Sequence, residues 1–389
     1  MEFLYLSPEF PSNYANFILQ LERYGANVWA LGEADFYELP EILQKAIRYY
    51  VRTELNSQSA VEIALKKLLK AKGATGASPK FDVVESHNEV WLGLEAHINE
   101  ILDIPGIRYQ DLEQLKKKSA MKRKFAACGL QTARGERLRD SAHGFALAKE
   151  IGFPLILKPN EGVGADRIYK VTNSIQLKDI LAELKGDYFM EPFIDAPIVS
   201  YDGLVDQNGQ LLFENSLTYG EGVLEYVQGK DTFFYVERNI PETLSEIGRQ
   251  LVRAFDIRRK FFHFEFFSLD HTYMPIEINC RPPGGAILDM MNYSADVDLY
   301  AAYARMITGR DQVAVTGEKK YYCAYAGRRD RNYLYTHEQL NHQLGPALVE
   351  FGENPTIFQQ AMSRYRYIIR SANREKLLRM VREVQQIRE

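Results

Sequence analysis

The chain has 389 residues, 46% of them hydrophobic and 26% charged, enough to bury a core and to form two or three domains at ~100–200 residues each. Its formal charge of -4 at pH 7 and pI of about 6.1 exclude a general affinity for nucleic acid or for an anionic membrane. The start MEFLYLSPEF lacks a signal peptide's basic lead and apolar run, and no stretch reaches the ~20 apolar residues of a membrane span; with Cys128, Cys280 and Cys323 in no metal or redox spacing, a soluble cytoplasmic protein is expected.

Residues 3–6 predict a buried strand, and Ser12 or Asn13 caps a helix that runs to about Gly25. A second strand is predicted at 27–31, helices near 40–50 and 58–71, a strand at 81–85 and a helix over 89–102. Strands alternating with helices imply a parallel sheet, and the lack of G-x-G-x-x-G after the first strand disfavours a dinucleotide site. Glu85, His87 and Asn88 end the strand at 81–85, where open sheets bind ligands, although Asn88 as a helix cap is the simpler reading.

The basic run KKKSAMKRKFAACG predicts a helix that closes at Gly129. Ser141 is the expected cap of a helix over 142–151, strands follow at 153–159 and 167–171, and Ser174 opens a helix that closes at Gly186. Residues 188–193 read as extended, and 198–236 as β-rich with turns at 206–209 and 220–222. Pro241 and Glu242 open an amphipathic helix with Leu244, Ile247, Leu251 and Phe255 on one side. Strands at 261–269 and 273–280 follow, and a last helix spans about 373–387. Residues 311–389 read as a small α/β appendage.

The most informative segment is FFHFEFFSLDHTYMPIEINCRPPGG, residues 261–285. Strand side chains alternate between faces, so His263 and Glu265 share one face of their strand, and Glu277 and Asn279 share one face of the next. A three-residue loop at Asp270, His271 and Thr272 would set Glu265 directly across from Glu277. Opposed carboxylates repel by a few tenths to ~1 kcal/mol. A divalent cation would compensate them, with Asn279 as a third oxygen donor. The alternative is a solvated outer face, which five phenylalanines around Glu265 disfavour.

In LILKPNEGVGADRIYKV, residues 155–171, a strand ending in Lys158 leads into Gly162 and Gly164 and returns as a second strand. Glycines allow close backbone approach to phosphate oxygens, and Lys158 adds charge, although an ordinary hairpin turn fits the same pattern. Lys118 lies in a lysine run that reads equally as a solvated helix face, and His263 as a packed core histidine.

Together these residues resemble the ATP-grasp superfamily over roughly residues 1–310, in the branch of carboxylate–amine and amino-acid ligases. The stretch MKRKFAACGLQTAR is similar to the large chain of carbamoyl-phosphate synthetase. The resemblance implies an α/β fold: a Rossmann-like parallel-sheet domain at 1–112, then α+β ATP-grasp lobes at 113–190 and 191–310, with the appendage at 311–389. It implies that Lys118 and Lys158 hold ATP, that Gly162, Gly164 and Ala165 belong to a phosphate-covering loop, and that Glu191, Pro192, Phe193 and Ile194 hold adenine. Glu265, Glu277 and Asn279 match ligands of Mg²⁺ or Mn²⁺, and Arg281 matches the catalytic arginine, with the amides of Gly284 and Gly285 beside it. The chain departs from the pattern at Ile198, where a ribose-binding Glu is common, and Asp202 is the candidate replacement.

The activity so implied is ATP-dependent ligation. A carboxylate becomes an acyl phosphate, an amine displaces phosphate, and ADP is released. The partners are then small-molecule acids and amines, with a homodimer as an option. The alternatives are a thiol acceptor, a carbamoyl-phosphate or carboxylase-like reaction, and an ATP-binding module without turnover.

Overall fold

The computed structural model describes residues 1–76, 80–162, 167–220, 229–270, 272–310, 315 and 319–388. Its first sheet contains β1 (Glu2–Leu6), β2 (Asn27–Gly32), β3 (Ile47–Arg52) and β4 (Val83–Glu85), all parallel, in the order β3-β2-β1-β4. Residues 47–52 lie largely within a stretch read as helical, yet only Glu41–Ala46 is a helix. The aromatic and β-branched run IRYYVR pairs with β2 instead, because side chains of that kind suit a half-buried pleated edge.

A second sheet of β5 (Glu136–Arg137), β6 (Leu155–Pro159), β7 (Tyr169–Val171) and β8 (Tyr188–Pro192) is antiparallel, in the order β5-β8-β6-β7. The helices Ser141–Ile151 and Ser174–Glu183 cover it through Leu147, Leu177 and Leu181. Their caps lie one residue before the serines expected to start them. Asp140 accepts from the His143 amide and Asn173 from the Gln176 amide, while Ser141 and Ser174 are already helical.

The third sheet holds β9 (Ile198–Val205), β10 (Leu211–Tyr219), β11 (Phe233–Val236), β12 (Phe261–Ser268), β13 (Tyr273–Asn279), β14 (Tyr322–Arg328), β15 (Leu348–Glu353) and β16 (Tyr365–Ser371). Its order is β13-β12-β9-β10-β11-β14-β16-β15. The expected separate appendage at 311–389 therefore supplies three strands of one continuous sheet, joined where β11 pairs with β14. The helix Glu242–Ala254 buries the predicted stripe Leu244, Ile247 and Leu251 against this sheet. Gly248 permits the close approach: a Cβ there would lie 2.1 Å from the Tyr201 ring. No helix among the described residues is long and apolar enough to cross a membrane.

The first domain is fastened to the third sheet by an aromatic cluster and a buried ion triad. Phe17 stacks on His87 at 3.7 Å and meets Tyr300 and Tyr303 edge-on. Burial lowers the His87 pKa to about 3, so this imidazole is neutral. Lys260 donates to both oxygens of Glu85 at 2.7 Å and to Glu95 at 2.8 Å. Burial works against the Glu85 carboxylate, but Lys260 outweighs it and holds the pKa at about 2. Burial and the neighbouring Glu85 push the Glu95 pKa upward. Lys260→Met leaves the Glu85 charge buried without its partner. Urea unfolding at pH 7 is expected to show a loss of ~3–5 kcal/mol, and a loss under ~1 kcal/mol would remove the triad as the fastening.

Candidate active site

The β12–β13 hairpin sets Glu265 across from Glu277 and His263 across from Asn279, as expected. The route differs from the three-residue loop read from sequence. Ser268 pairs with Tyr273, so residues 269–272 form the connection, of which His271 lies outside the described residues. A bulge then restores the parity, because Glu265 pairs with Glu277 while Phe266 pairs with Pro275. Ile276 is the extra residue, and it is tolerated because β13 is an edge strand with Pro275 already in it.

These residues extend into a polar row across the sheet: Asn279, His263, Asp202 and Asn215 on four successive strands. His263 Nδ1 lies 2.5 Å from Asp202 Oδ1, and Nε2 lies 3.1 Å from Glu265 Oε1. Burial alone would suppress the His263 charge, but Asp202 and Glu265 raise its pKa to about 9. At neutral pH it is an imidazolium that holds Glu265 from below.

The lysines arrive from the other side. Lys118 opens the helix Lys118–Ala127, with its Nζ 3.2 Å from Glu277 Oε2 and donating to the Gly162 carbonyl at 3.3 Å. Burial opposes the Lys118 charge, yet Glu277, Glu265 and Glu89 outweigh it and raise its pKa. Glu277 is correspondingly depressed to about 2, against burial, by Lys118 and Lys158. Asn160 positions Lys118. Its carbonyl and Oδ1 accept from the Lys118 and Ser119 amides at 2.8 and 2.9 Å, capping the helix from the turn after β6. Asn160 is fixed in turn by Asp187, and Lys116 pairs with Glu161 at 2.8 Å.

Glu191 forms a second buried cluster. Lys158 lies 2.6 Å from its Oε1 and Lys122 lies 2.7 Å from its Oε2. Burial would raise the Glu191 pKa, but the two lysines lower it; burial lowers Lys122 in return. Lys122 and Asn160 are absent from the expected site. Lys122 had a signal: it stands four residues after Lys118 and so shares its helix face. Asn160 had none beyond its place after Lys158 and Pro159.

Arg281 follows β13 and donates to the Pro282 carbonyl at 2.8 Å. Its loop is held from the first domain: Tyr14 donates to the Pro282 and Pro283 carbonyls, and Asn13 to the Gly285 carbonyl at 3.0 Å. The donor set Glu265, Glu277 and Asn279 consists of hard oxygens at neighbouring register positions. It suits Mg²⁺ with phosphate oxygens completing the shell better than an all-protein cage. Gly164 and Ala165 lie outside the described residues.

No protein-family model matches the chain. Among curated sequences it is 23% identical over 250 residues to the uncharacterized protein y4rH of Sinorhizobium fredii, covering 59% of this chain and 50% of that protein. The chain thus spans about half the length of the curated relative it matches. The whole chain is similar to solved ligase and carboxylase structures. An L-amino acid ligase from Bacillus licheniformis superposes with TM-score 0.75 at 15% identity, over 99% of this chain and 96% of that one. Carboxyaminoimidazole ribonucleotide synthase from Aspergillus clavatus, complexed with ATP, superposes with TM-score 0.72 at 15% identity, over 100% and 99%. The biotin carboxylase domain of 2-oxoglutarate carboxylase from Hydrogenobacter thermophilus, in complex with MgADP, gives TM-score 0.70 at 15% identity, over 98% and 89%.

The chain has the ATP-grasp fold.

One expected contact needs correction on this ATP-grasp framework. Asp202 is fully buried, with one oxygen on His263 and the other accepting from Ser200 and Asn215, so it offers nothing to a ribose. The Phe193 amide, expected among the adenine-holding groups with Glu191, Pro192 and Ile194, already donates to the Pro154 carbonyl at 3.1 Å. The Glu191 side chain is likewise committed, to Lys122 and Lys158.

The Glu191 cluster sets a pH dependence. Its folded pKa lies below the ordinary carboxylate value of ~4.3, so the stability it contributes is present above that pH and lost as pH falls below it. Glu191→Gln is expected to cost ~3–5 kcal/mol at pH 7 by leaving two buried lysines uncompensated. Urea titrations from pH 7 to 3 should show a flatter acid dependence in the variant; parallel curves would contradict the assignment.

Proposed function

We propose that the chain is an ATP- and Mg²⁺-dependent carboxylate–amine ligase. The observation that carries this reading is the convergence of Lys118, at the start of its helix, on the opposed pair Glu265 and Glu277 of the β12–β13 hairpin, with Arg281 four residues further on. The fold supports it, being shared with an L-amino acid ligase and an ATP-bound carboxyaminoimidazole ribonucleotide synthase.

Glu265, Glu277 and Asn279 would hold the metal, which when bound neutralises the terminal phosphate charge. Lys118 and Lys158 would then be drawn from their carboxylate partners onto the phosphate chain, as would the amide groups near Gly162. His263 holds Glu265 in position at 3.1 Å. The acceptor carboxylate is already ionised at neutral pH and needs no base. Arg281 and the Gly284 and Gly285 amides face the carbonyl oxygen as its charge develops. The Tyr14 and Asn13 hydrogen bonds to the same loop's carbonyls keep those donors fixed.

The reading is tested by supplying ATP, Mg²⁺ and an equimolar mixture of the twenty amino acids, with bicarbonate in a parallel arm. ADP and phosphate release with the amino acids, and a hydroxamate on adding hydroxylamine, are expected. ¹⁸O in the acid should appear in the released phosphate. Release only with bicarbonate makes the chain a carboxylase, and AMP with pyrophosphate overturns the mechanism. Glu277→Gln should abolish turnover in a folded protein. Arg281→Met should lower kcat by ~10²–10³, as expected for one oxyanion donor; unchanged kcat would remove Arg281 from the reaction.

A further inference from the structure

The first domain contributes a carboxylate that none of these roles uses. Glu89 begins the short turn Glu89–Trp91 after β4, where Asn88 caps the turn by accepting from the Val90 amide at 3.1 Å. Glu89 is 5% exposed, and its Oε2 is buried with no hydrogen-bond partner among the described residues. An unpaired buried carboxylate oxygen carries its full desolvation cost. It lies within electrostatic reach of the charged site. Arg281, Lys116, Glu277 and Lys260 all act on it electrostatically, and it in turn acts on Lys118 and Cys280. Burial outweighs the attraction of Arg281 and leaves its pKa raised to about 7.

The chemistry of the second half-reaction has a matching gap. The acid needs no base, but an amine arrives as an ammonium and must lose protons before and during attack. We propose that Glu89 is the receptor for the amine substrate, its free Oε2 binding the incoming ammonium and accepting a proton from it. This rests on the ligase reading and assigns the nucleophile as a primary amine, cationic in solution. One proton passes from nitrogen to Glu89. The nitrogen lone pair forms the C–N bond to the acyl carbon, and the C–O bond to phosphate breaks with its electron pair on oxygen. The departing phosphate takes the second proton, so the ammonium, the Glu89 carboxylate and the acyl phosphate become the amide, protonated Glu89 and hydrogen phosphate. A group titrating near neutrality suits this exchange in both directions.

The test separates the two half-reactions in the full chain. With ATP, Mg²⁺ and the twenty-amino-acid mixture, hydroxamate formed on adding hydroxylamine reads acyl phosphate formation, because hydroxylamine is largely neutral at pH 7. Amide product formed without hydroxylamine, quantified by mass spectrometry, reads transfer to the amines present. Glu89→Gln should keep hydroxamate formation within about threefold of wild type while transfer falls by ~10² or more. Glu89→Asp should recover part of the transfer, with a raised KM for the amine. An equal fall in both readouts would make Glu89 structural or part of the first step, and no fall in transfer would overturn the proposal directly. Wild-type protein that forms no hydroxamate removes the ligase reading, and this inference with it. Hydroxamate with unimpaired transfer in Glu89→Gln removes this inference alone.

Discussion

Two carboxylates held opposite each other on neighbouring strands are the constraint around which this molecule is built. Glu265 and Glu277 cannot relax apart, because both belong to one hairpin whose register is set by pairing along the strands. Their repulsion is met by positive groups from different parts of the fold: the imidazolium of His263 beneath Glu265, and Lys118 above Glu277. Each of those groups requires its own support. His263 leans on Asp202, and the helix that carries Lys118 is capped by Asn160 from the turn after β6. The charge balance of the site therefore depends on the second and third sheets both being in place.

The same economy explains the lysines of the small lobe. Lys158 and Lys122 share the buried Glu191, whose single charge offsets part of theirs. A phosphate chain competing for these ammonium groups would meet donors already desolvated and aimed inward, which reduces the cost of ordering them on binding. The first domain has a matching role at the other end of the site. Its Asn13 and Tyr14 hold the loop after Arg281, and Glu89 enters from the turn beyond β4. The Lys260 triad and the Phe17–His87 stack keep that domain seated, so these contacts are fixed by the interface rather than by flexible side chains.

Much of this was legible locally. The period-two alternation in FFHFEFF and MPIEIN assigns faces without reference to anything distant, and the stripe of Leu244, Ile247 and Leu251 is a periodicity that only a helix satisfies. The misread positions share a cause. IRYYVR has an edge-strand composition but follows a helix with no breaker between them, and only pairing with β2 decides its state. Ser141 looks like a cap, yet Asp140 stands one place earlier with equal chemistry. Lys122 passed as part of a solvated lysine run because charge in sequence does not reveal burial.

By itself the sequence determined the strand faces and the helix stripes, which are consequences of short-range geometry: side-chain alternation, helical periodicity and turn chemistry act over a few residues. The order of lysine, glycine turn, acidic pair and arginine carried the fold only through its resemblance to the ATP-grasp superfamily. Tertiary structure alone decided that a bulge at Ile276, rather than a three-residue loop, sets the acids in register. It also decided that Asp202 serves His263 and no ribose, that Glu191 is shared by two lysines, and that residues 322–371 complete the central sheet. It left Glu89 buried with an oxygen that has no hydrogen-bond partner among the described residues. Those outcomes depend on which distant segments meet and which groups they seal from water, and residue spacing carries no record of either.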